Sequence, residues 1–291
     1  MRRAVPRNES IEKWRDLVQR REEKLAVHTR RQAMNFIYKV GFCYIFRASS
    51  PEIPSLWHAV HGVRPDHADE LIKDPERSSF LWELKASLPA SREVYVGKLI
   101  LQRPTVISLE FVPHFVAVSG RTGERDDYVR DSQRGTLSPL ARHIMDLFRR
   151  RAHLTTAKIR ELLGRSGSSS RASIEQALGE LQGKMYIGRG GDAHTPEAAG
   201  WSPVHVLFPK EIRRSRRITP EHARSVILER HFRNLLVTTL PEIRHTFRWT
   251  RQEIYQALGD LHRKGIVGNE EPGEGRPGNA YIYLGERNAL P

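Results

Sequence analysis

Apolar residues recur at helical spacing in two stretches that lie 80 positions apart. Residues 170–188 read SRASIEQALGELQGKMYIG, and residues 250–268 read TRQEIYQALGDLHRKGIVG. Ile174, Ala177, Leu178 and Leu181 stand at i, i+3, i+4 and i+7, which is one face of an amphipathic helix. Ile254, Ala257, Leu258 and Leu261 repeat the stripe without a gap. Such self-similarity marks a repeated structural unit. Ser169 or Ser170 is placed to cap the first helix. Thr250 is placed to cap the second, with Glu253 completing a capping box. A basic turn and a short apolar strand follow each helix.

The segments upstream match as well. Leu140, Ile144, Leu147 and Phe148 precede TTAKIRELLG; Val226, Ile227, Phe232 and Leu235 precede VTTLPEIRHTF. Downstream of the second copy, EEPGEGRPGN separates IVG from AYIYLG as a Gly/Pro-rich hairpin tip that carries Arg276. The corresponding tip of the first copy is RGGDAHTPEAAGW, with VHVLF expected as its closing strand. Helix, helix, helix, strand, wing, strand is the winged-helix plan. The expected fold is therefore mainly α with small β-wings, built on tandem winged-helix (helix-turn-helix) domains at 137–209 and 210–291.

The remaining residues, 1–136, read as an N-terminal helical or mixed domain. Ile11, Trp14, Leu17, Val18 and Leu25 predict a helix over 9–25. Thr29 caps an apolar run that Gly41 breaks, and PEIPSLWHAVHG predicts a short helix with Pro54 at its first turn. Residues 64–90 read as polar and Pro-containing, with Phe80 and Trp82 as aromatic anchors. A helix over 91–102 followed by strands at TVISLEF and HFVAVSG suggests a degenerate third winged helix.

Charge sharpens this picture. With 48 Lys and Arg against 34 Asp and Glu, the formal charge is +14. That balance favours a polyanionic partner, because each neutralised phosphate releases counterions. The solvent-facing positions of the third helices are Ser170, Arg171, Ser173 and Gln176 in copy one, and Arg251, Gln252, Tyr255 and Gln256 in copy two. A third helix of this kind enters the major groove, where Arg and Gln match base edges. Glu175 and Glu253 lie on or beside the same faces. Arg149 to Arg151 form a basic run. Lys210, Arg213, Arg214, Arg216 and Arg217 crowd the segment KEIRRSRR, which reads as an exposed linker that tracks phosphates. The expected partner is double-stranded DNA, bound in repair or transcriptional control. The alternatives are a DNA glycosylase that excises a damaged base and an adaptor that uses winged helices on proteins.

Candidate chemistry is sparse. The single cysteine, Cys43, excludes internal disulfides and thiolate zinc clusters. No metal-ligand spacing and no nucleotide-binding glycine motif is present, so neither metal nor cofactor is expected. Glu52, Asp66, Glu83 and Glu110 are the acids weighed for activating water, with Glu110 placed on a strand edge. Tyr38, Tyr44, Trp57, Trp82 and Tyr95 are aromatics weighed for stacking on a base. No secretory leader and no membrane-length apolar stretch is read, so a cytoplasmic location is expected.

The segments GFCYIF, EIPSLWHAVHG and VYVGKLILQRPTVISLE, together with the QALGEL/QALGDL repeat, resemble the winged-helix proteins related to the bacterial DNA glycosylases that unhook interstrand crosslinks. The resemblance spans nearly the whole chain and implies a DNA-binding scaffold. Glycosylases of that family carry a glutamine–apolar–glutamine motif in their catalytic region. This chain has no Gln-x-Gln, so no catalytic residue is carried over; fold and chemistry are separable.

Overall fold

The computed structural model describes residues 8–47, 53–65, 74–164, 170–190, 200–270 and 280–285. The chain begins with α1 (Asn8–Gln19), a short 3-10 turn (Glu23–Leu25), α2 (Arg30–Val40), β1 (Phe42–Tyr44), α3 (Leu56–His61) and α4 (Pro75–Ser91). Next come β2 (Val94–Gly97), β3 (Thr105–Ser108), α5 (Val112–Val118) and α6 (Asp127–Gln133). The first copy of the repeat is α7 (Pro139–Phe148), α8 (Thr156–Gly164), α9 (Arg171–Gly183), β4 (Ile187–Gly190) and β5 (Gly200–Pro203). Two short helices follow, α10 (Val204–Leu207) and α11 (Pro209–Ser215). The second copy is α12 (Pro220–Leu235), β6 (Val237–Thr239), α13 (Leu240–Phe247), α14 (Arg251–Arg263), β7 (Val267–Glu270) and β8 (Ala280–Tyr283). Helices dominate and the sheets are small, as tandem winged helices require.

The chain forms two compact units. One comprises Met1–Leu81 with Pro220–Pro291; the other is Trp82–Thr219. This partition cuts the chain at other places than 136 and 209, and it puts one copy of the repeat in each unit.

In Trp82–Thr219, β4 and β5 pair antiparallel from Ile187↔Pro203 to Gly190↔Gly200. Ile144, Phe148, Ile159, Ile174, Leu178 and Ile187 share one buried core. Leu154 bridges Trp201 across the wing base, and the Trp201 indole donates to Thr156 Oγ1 at 3.0 Å. The segment VHVLF is not the closing strand: β5 occupies Gly200–Pro203, and Val204–Leu207 turns into α10 after Pro203, which has no N–H to extend the ladder.

The segment expected as a helix over 91–102 instead holds β2, which pairs antiparallel with β3 from Val94↔Ser108 to Gly97↔Thr105. Val94, Tyr95 and Val96 are β-branched or aromatic and all buried, which suits a strand and not a one-sided helix. Ser91 ends α4, and its Oγ accepts from the Glu93 N–H at 3.2 Å. That helix occupies ground to which the sequence pattern assigns no element, with Leu81, Leu84 and Leu88 as its buried stripe. HFVAVSG, read as a strand, lies in α5 and the turn after it. Pro113 sits in its first turn, and Val112, Pro113, Val116 and Ala117 share one buried face.

In the other unit, α1 is shorter than expected because Arg20 turns left-handed (φ 56) after Gln19. Its side chains meet the end of α12, where the last carbonyls have no helical partner. Trp14 Nε1 donates to the Arg233 carbonyl (2.9 Å), Gln19 Nε2 to Asn234 (3.1 Å) and Arg15 Nε to Leu235 (3.0 Å). The α12 terminus is thus capped by residues more than 200 positions away. Strands β6 and β7 flank β8, both antiparallel to it. Ile227, Phe232, Ile243, Ile254, Leu258 and Leu261 are buried beneath this sheet and its helices.

Candidate nucleic-acid interface

The third helices correspond in sequence and in structure. Arg171–Gly183 and Arg251–Arg263 have the same length and an offset of 80, which also relates β4 to β7 and β5 to β8. Upstream the offset is 84: Thr155 and Ile159 match Thr239 and Ile243, and the Leu154–Trp201 bridge matches the Thr238–Tyr281 pair. Copy one therefore carries extra residues between its second and third helices. In copy two only Arg248, Trp249 and Thr250 lie there. Arg248 is left-handed (φ 59), and Trp249 is buried and stacked on Phe247 with centroids 4.6 Å apart.

The caps fall where the pattern places them. Ser170 Oγ accepts from the Ser173 N–H (3.1 Å), and Thr250 with Glu253 forms a complete capping box. With each apolar stripe turned inward, Arg171 and Gln176 are exposed on α9. Arg251, Gln252, Tyr255 and Gln256 are exposed on α14. Ser173 is half-buried and engaged with Ser170.

The two acids near these faces are not loose charges. Glu175 pairs with Arg160 (Nη2–Oε1 3.1 Å). Glu253 is held by the cap and by the buried Arg224 guanidinium.

The basic segment 210–217 is not an unstructured linker. Residues 209–215 form α11, which packs against α5 and buries Ile212 and Ser215. Phe208, Ile212 and Ser215 recur at i, i+4 and i+7, a thin apolar stripe amid arginines. Lys210, Arg213, Arg214, Arg216 and Arg217 remain exposed around it. Arg216 also donates through Nε to the Thr122 carbonyl (3.2 Å), which ties the end of this helix down. In the 149–151 run, Arg149 faces Asp126 at 3.5 Å, and Arg150 and Arg151 are exposed. Arg276 lies outside the described residues.

The two described candidate acids are both on the surface. Glu110 sits in a turn after β3, exposed, and not on a strand edge; Glu83 is exposed on α4. Glu52 and Asp66 lie outside the described residues. No group of three His, Cys, Asp or Glu that fits a metal occurs among the described residues. Burial pushes the Cys43 thiol well above its usual range, so it is an inert core side chain. Of the aromatics, Tyr44 and Tyr95 are core, and Trp57 stacks on His61 at 4.0 Å. Tyr38 and Trp82 reach the surface.

Sequence reasoning missed two side chains in the wing of each copy, which meet the already named Glu175 and Tyr255 positions. In copy one Arg189 lies over the Trp201 ring (3.9 Å), and burial lowers its pKa while Glu175 raises it. At the matching positions copy two has Asn269, Tyr281 and Tyr255. The 80-residue offset, carried past Gly188 into the wing, is the signal that pairs them.

Residues 27–247 match the family described as AlkZ related. The chain superposes on Streptomyces sahachiroi DNA glycosylase AlkZ with a TM-score of 0.60 and 13% sequence identity. The match covers 99% of this chain and 72% of that one. At that identity the likeness is one of fold. No curated protein sequence matches the chain. Among the described residues, no helix is long and apolar enough to cross a membrane.

Proposed function

The chain belongs to the AlkZ-related family, and from that premise we propose that it binds double-stranded DNA through its winged helices, in repair or transcriptional control. The observation that carries this is the exposure of Arg171, Gln176, Arg251, Gln252 and Gln256 on two capped helices whose apolar faces are buried. Arg and Gln present donors that match base edges and phosphates. A formal charge of +14 supplies the attraction. The exposed cations of α11 and its turn, Lys210, Arg213, Arg214, Arg216 and Arg217, serve as backbone contacts; they stand on no groove-reading helix.

The test is a fluorescence titration against a random-sequence duplex over a salt series. Log K falls by about 0.9 per phosphate contact for each decade of salt. Arg214→Ala weakens all duplexes alike and makes the slope shallower by about 1. Binding that ignores salt, or no binding at low ionic strength, overturns the reading.

A second reading is base excision, the activity for which the Streptomyces sahachiroi DNA glycosylase is named. Family membership favours it. Against it stand the missing Gln-x-Gln and the exposure of Glu83 and Glu110. Abasic-site formation on alkylated duplex DNA separates the two. Use of the winged helices on protein partners alone is separated by an absence of DNA affinity.

A further inference from the structure

Winged-helix copies that descend from one plan need not do the same work, and here their exposed faces differ in kind. In the first two turns of α14 the residues pointing outward are Arg251, Gln252, Tyr255 and Gln256. Tyr255 is 53% exposed, in the second turn of a helix whose opposite stripe is fully packed. An aromatic ring left open between an arginine and two glutamines is costly in water and is accounted for by an apolar partner that comes with polar neighbours. The acids of the same helix are already engaged: Glu253 with its cap and Arg224, and Asp260 with Lys264 at 2.7 Å. Arg248 and Arg251 stand exposed at the start of the helix. The face is therefore cationic at its rim and aromatic at its centre, and it is flanked by half-buried Tyr281 on β8. The Tyr281 hydroxyl titrates above its ordinary range, first through burial and then through the nearby Tyr255 phenol.

In copy one Arg171 and Gln176 stand exposed at the positions of Arg251 and Gln256, but the centre of the face differs. Glu175 replaces Tyr255, Ala172 replaces Gln252, and Glu175 is taken up by Arg160. Arg189 covers a Trp201 ring that is itself buried. A carboxylate at the centre of the face, paired with Arg160, offers neither an apolar surface nor a donor to the acceptor-rich major-groove edge.

The chemistry of the copy-two face selects among base pairs. The apolar group displayed in the major groove is the 5-methyl of thymine, and the base suited to a bidentate glutamine is adenine. Thymine and adenine are partners, so the ring and the amides point to the same pair independently. We propose that Tyr255 is the contact for a thymine 5-methyl group, that Gln252 and Gln256 read adenine beside it, and that copy two reads bases while copy one does not. This rests on the DNA-binding reading above.

The experiment compares an alternating dA·dT duplex with the same duplex in which deoxyuridine replaces thymidine, which removes only the methyl groups. Wild-type protein is expected to bind the thymine duplex about four-fold more tightly, the worth of burying one methyl group. Tyr255→Ala is expected to bind both duplexes equally, at or below the wild-type affinity for the uracil duplex. Tyr255→Phe is expected to keep the preference. Circular dichroism of each variant checks that this exposed substitution leaves the fold intact. Salt-dependent binding without a thymine preference, or a preference that survives Tyr255→Ala, overturns the proposal and leaves the DNA-binding reading standing. Failure of the wild type to bind either duplex at low salt overturns both.

Discussion

The two winged-helix copies share an apolar stripe, a cap position and a wing register, yet they spend the corresponding polar positions differently. Copy one pairs several of its charges on its surface, Lys158 with Glu161 at 2.8 Å and Arg160 with Glu175, and lays Arg189 on Trp201, while Arg171 stays exposed. Copy two commits Glu242 and Glu253 to helix caps and leaves Arg248, Arg251 and Tyr255 outside, while Arg224 is buried against Glu253. The apolar pattern that specifies the fold is thus nearly independent of the polar pattern that specifies what the face can bind. A repeat can keep the first and diverge in the second.

The wing-base aromatic shows the largest expected contrast. Trp201 is 3% exposed, bonded to Thr156 and covered by Arg189, whereas Tyr281 at the same register is half-buried. Trp201→Ala should destabilise the protein by about 3–5 kcal/mol, the cost of emptying a large core site. Tyr281→Ala should cost about 1 kcal/mol, an ordinary loss for a partly exposed residue. Urea unfolding of the two variants checks this. Equal losses would mean that the copies use the position alike.

A smaller effect separates the copies by pH. His231 in α12 stands where copy one has Leu147. It is fully buried, neither ring nitrogen has a hydrogen-bond partner among the described residues, and Phe247 packs on it edge to face at 5.0 Å. Burial, with a lesser contribution from Arg15, pushes its pKa down to about 3. The unfolded chain, with a histidine pKa near 6.5, then binds a proton that the folded chain refuses. Stability contributed by neutral His231 is complete above about pH 6.5 and is lost as pH falls from there toward 3. Between pH 7 and pH 5 this loss amounts to about 2 kcal/mol. His231→Leu, which installs the copy-one residue, should flatten that part of the stability curve. An unchanged slope between pH 5 and 7 would place the acid sensitivity elsewhere.

Much of the fold was legible because it is local. The stripes at Ile174 and Ile254 and the caps at Ser170, Thr250 and Thr29 are short-range patterns with a direct physical reading, and all are present. The misread elements carry weak or conflicting local signals. The α11 stripe is narrow and lies among arginines, α4 contains Pro89, and Val94–Gly97 is too short for its alternation to compete with a helical reading. The discontinuous unit rests on contacts such as Trp14 to Arg233, which no local window contains. At the candidate interface, exposure of the third-helix arginines and glutamines followed from periodicity. The pairing of Glu175 with Arg160 and of Glu253 with Arg224 did not, because it depends on where a neighbouring helix places a guanidinium.

The smallest effect tests the self-neutralised face itself. Glu175 and Arg160 are both substantially exposed, so their ion pair contributes little to stability, about 0–1 kcal/mol. Glu175→Gln keeps the shape and a hydrogen-bonding oxygen for Arg160 while removing one negative charge, and the fold should be unaffected. What changes is the field: Arg160 loses its counter-charge, and Arg189, whose pKa burial lowers, loses the opposing influence of Glu175. If copy one lies close to phosphates without reading bases, duplex binding should strengthen about two- to three-fold at low salt. The salt slope should steepen by up to about 1, since a released cation adds a phosphate contact. The gain should be the same for thymine and uracil duplexes, because no base contact is created. A gain confined to one sequence would make copy one a base reader after all and erase the contrast with copy two. No gain at any salt concentration would mean that the copy-one helix does not approach the backbone, which would leave base reading and helix-to-phosphate contact alike to copy two.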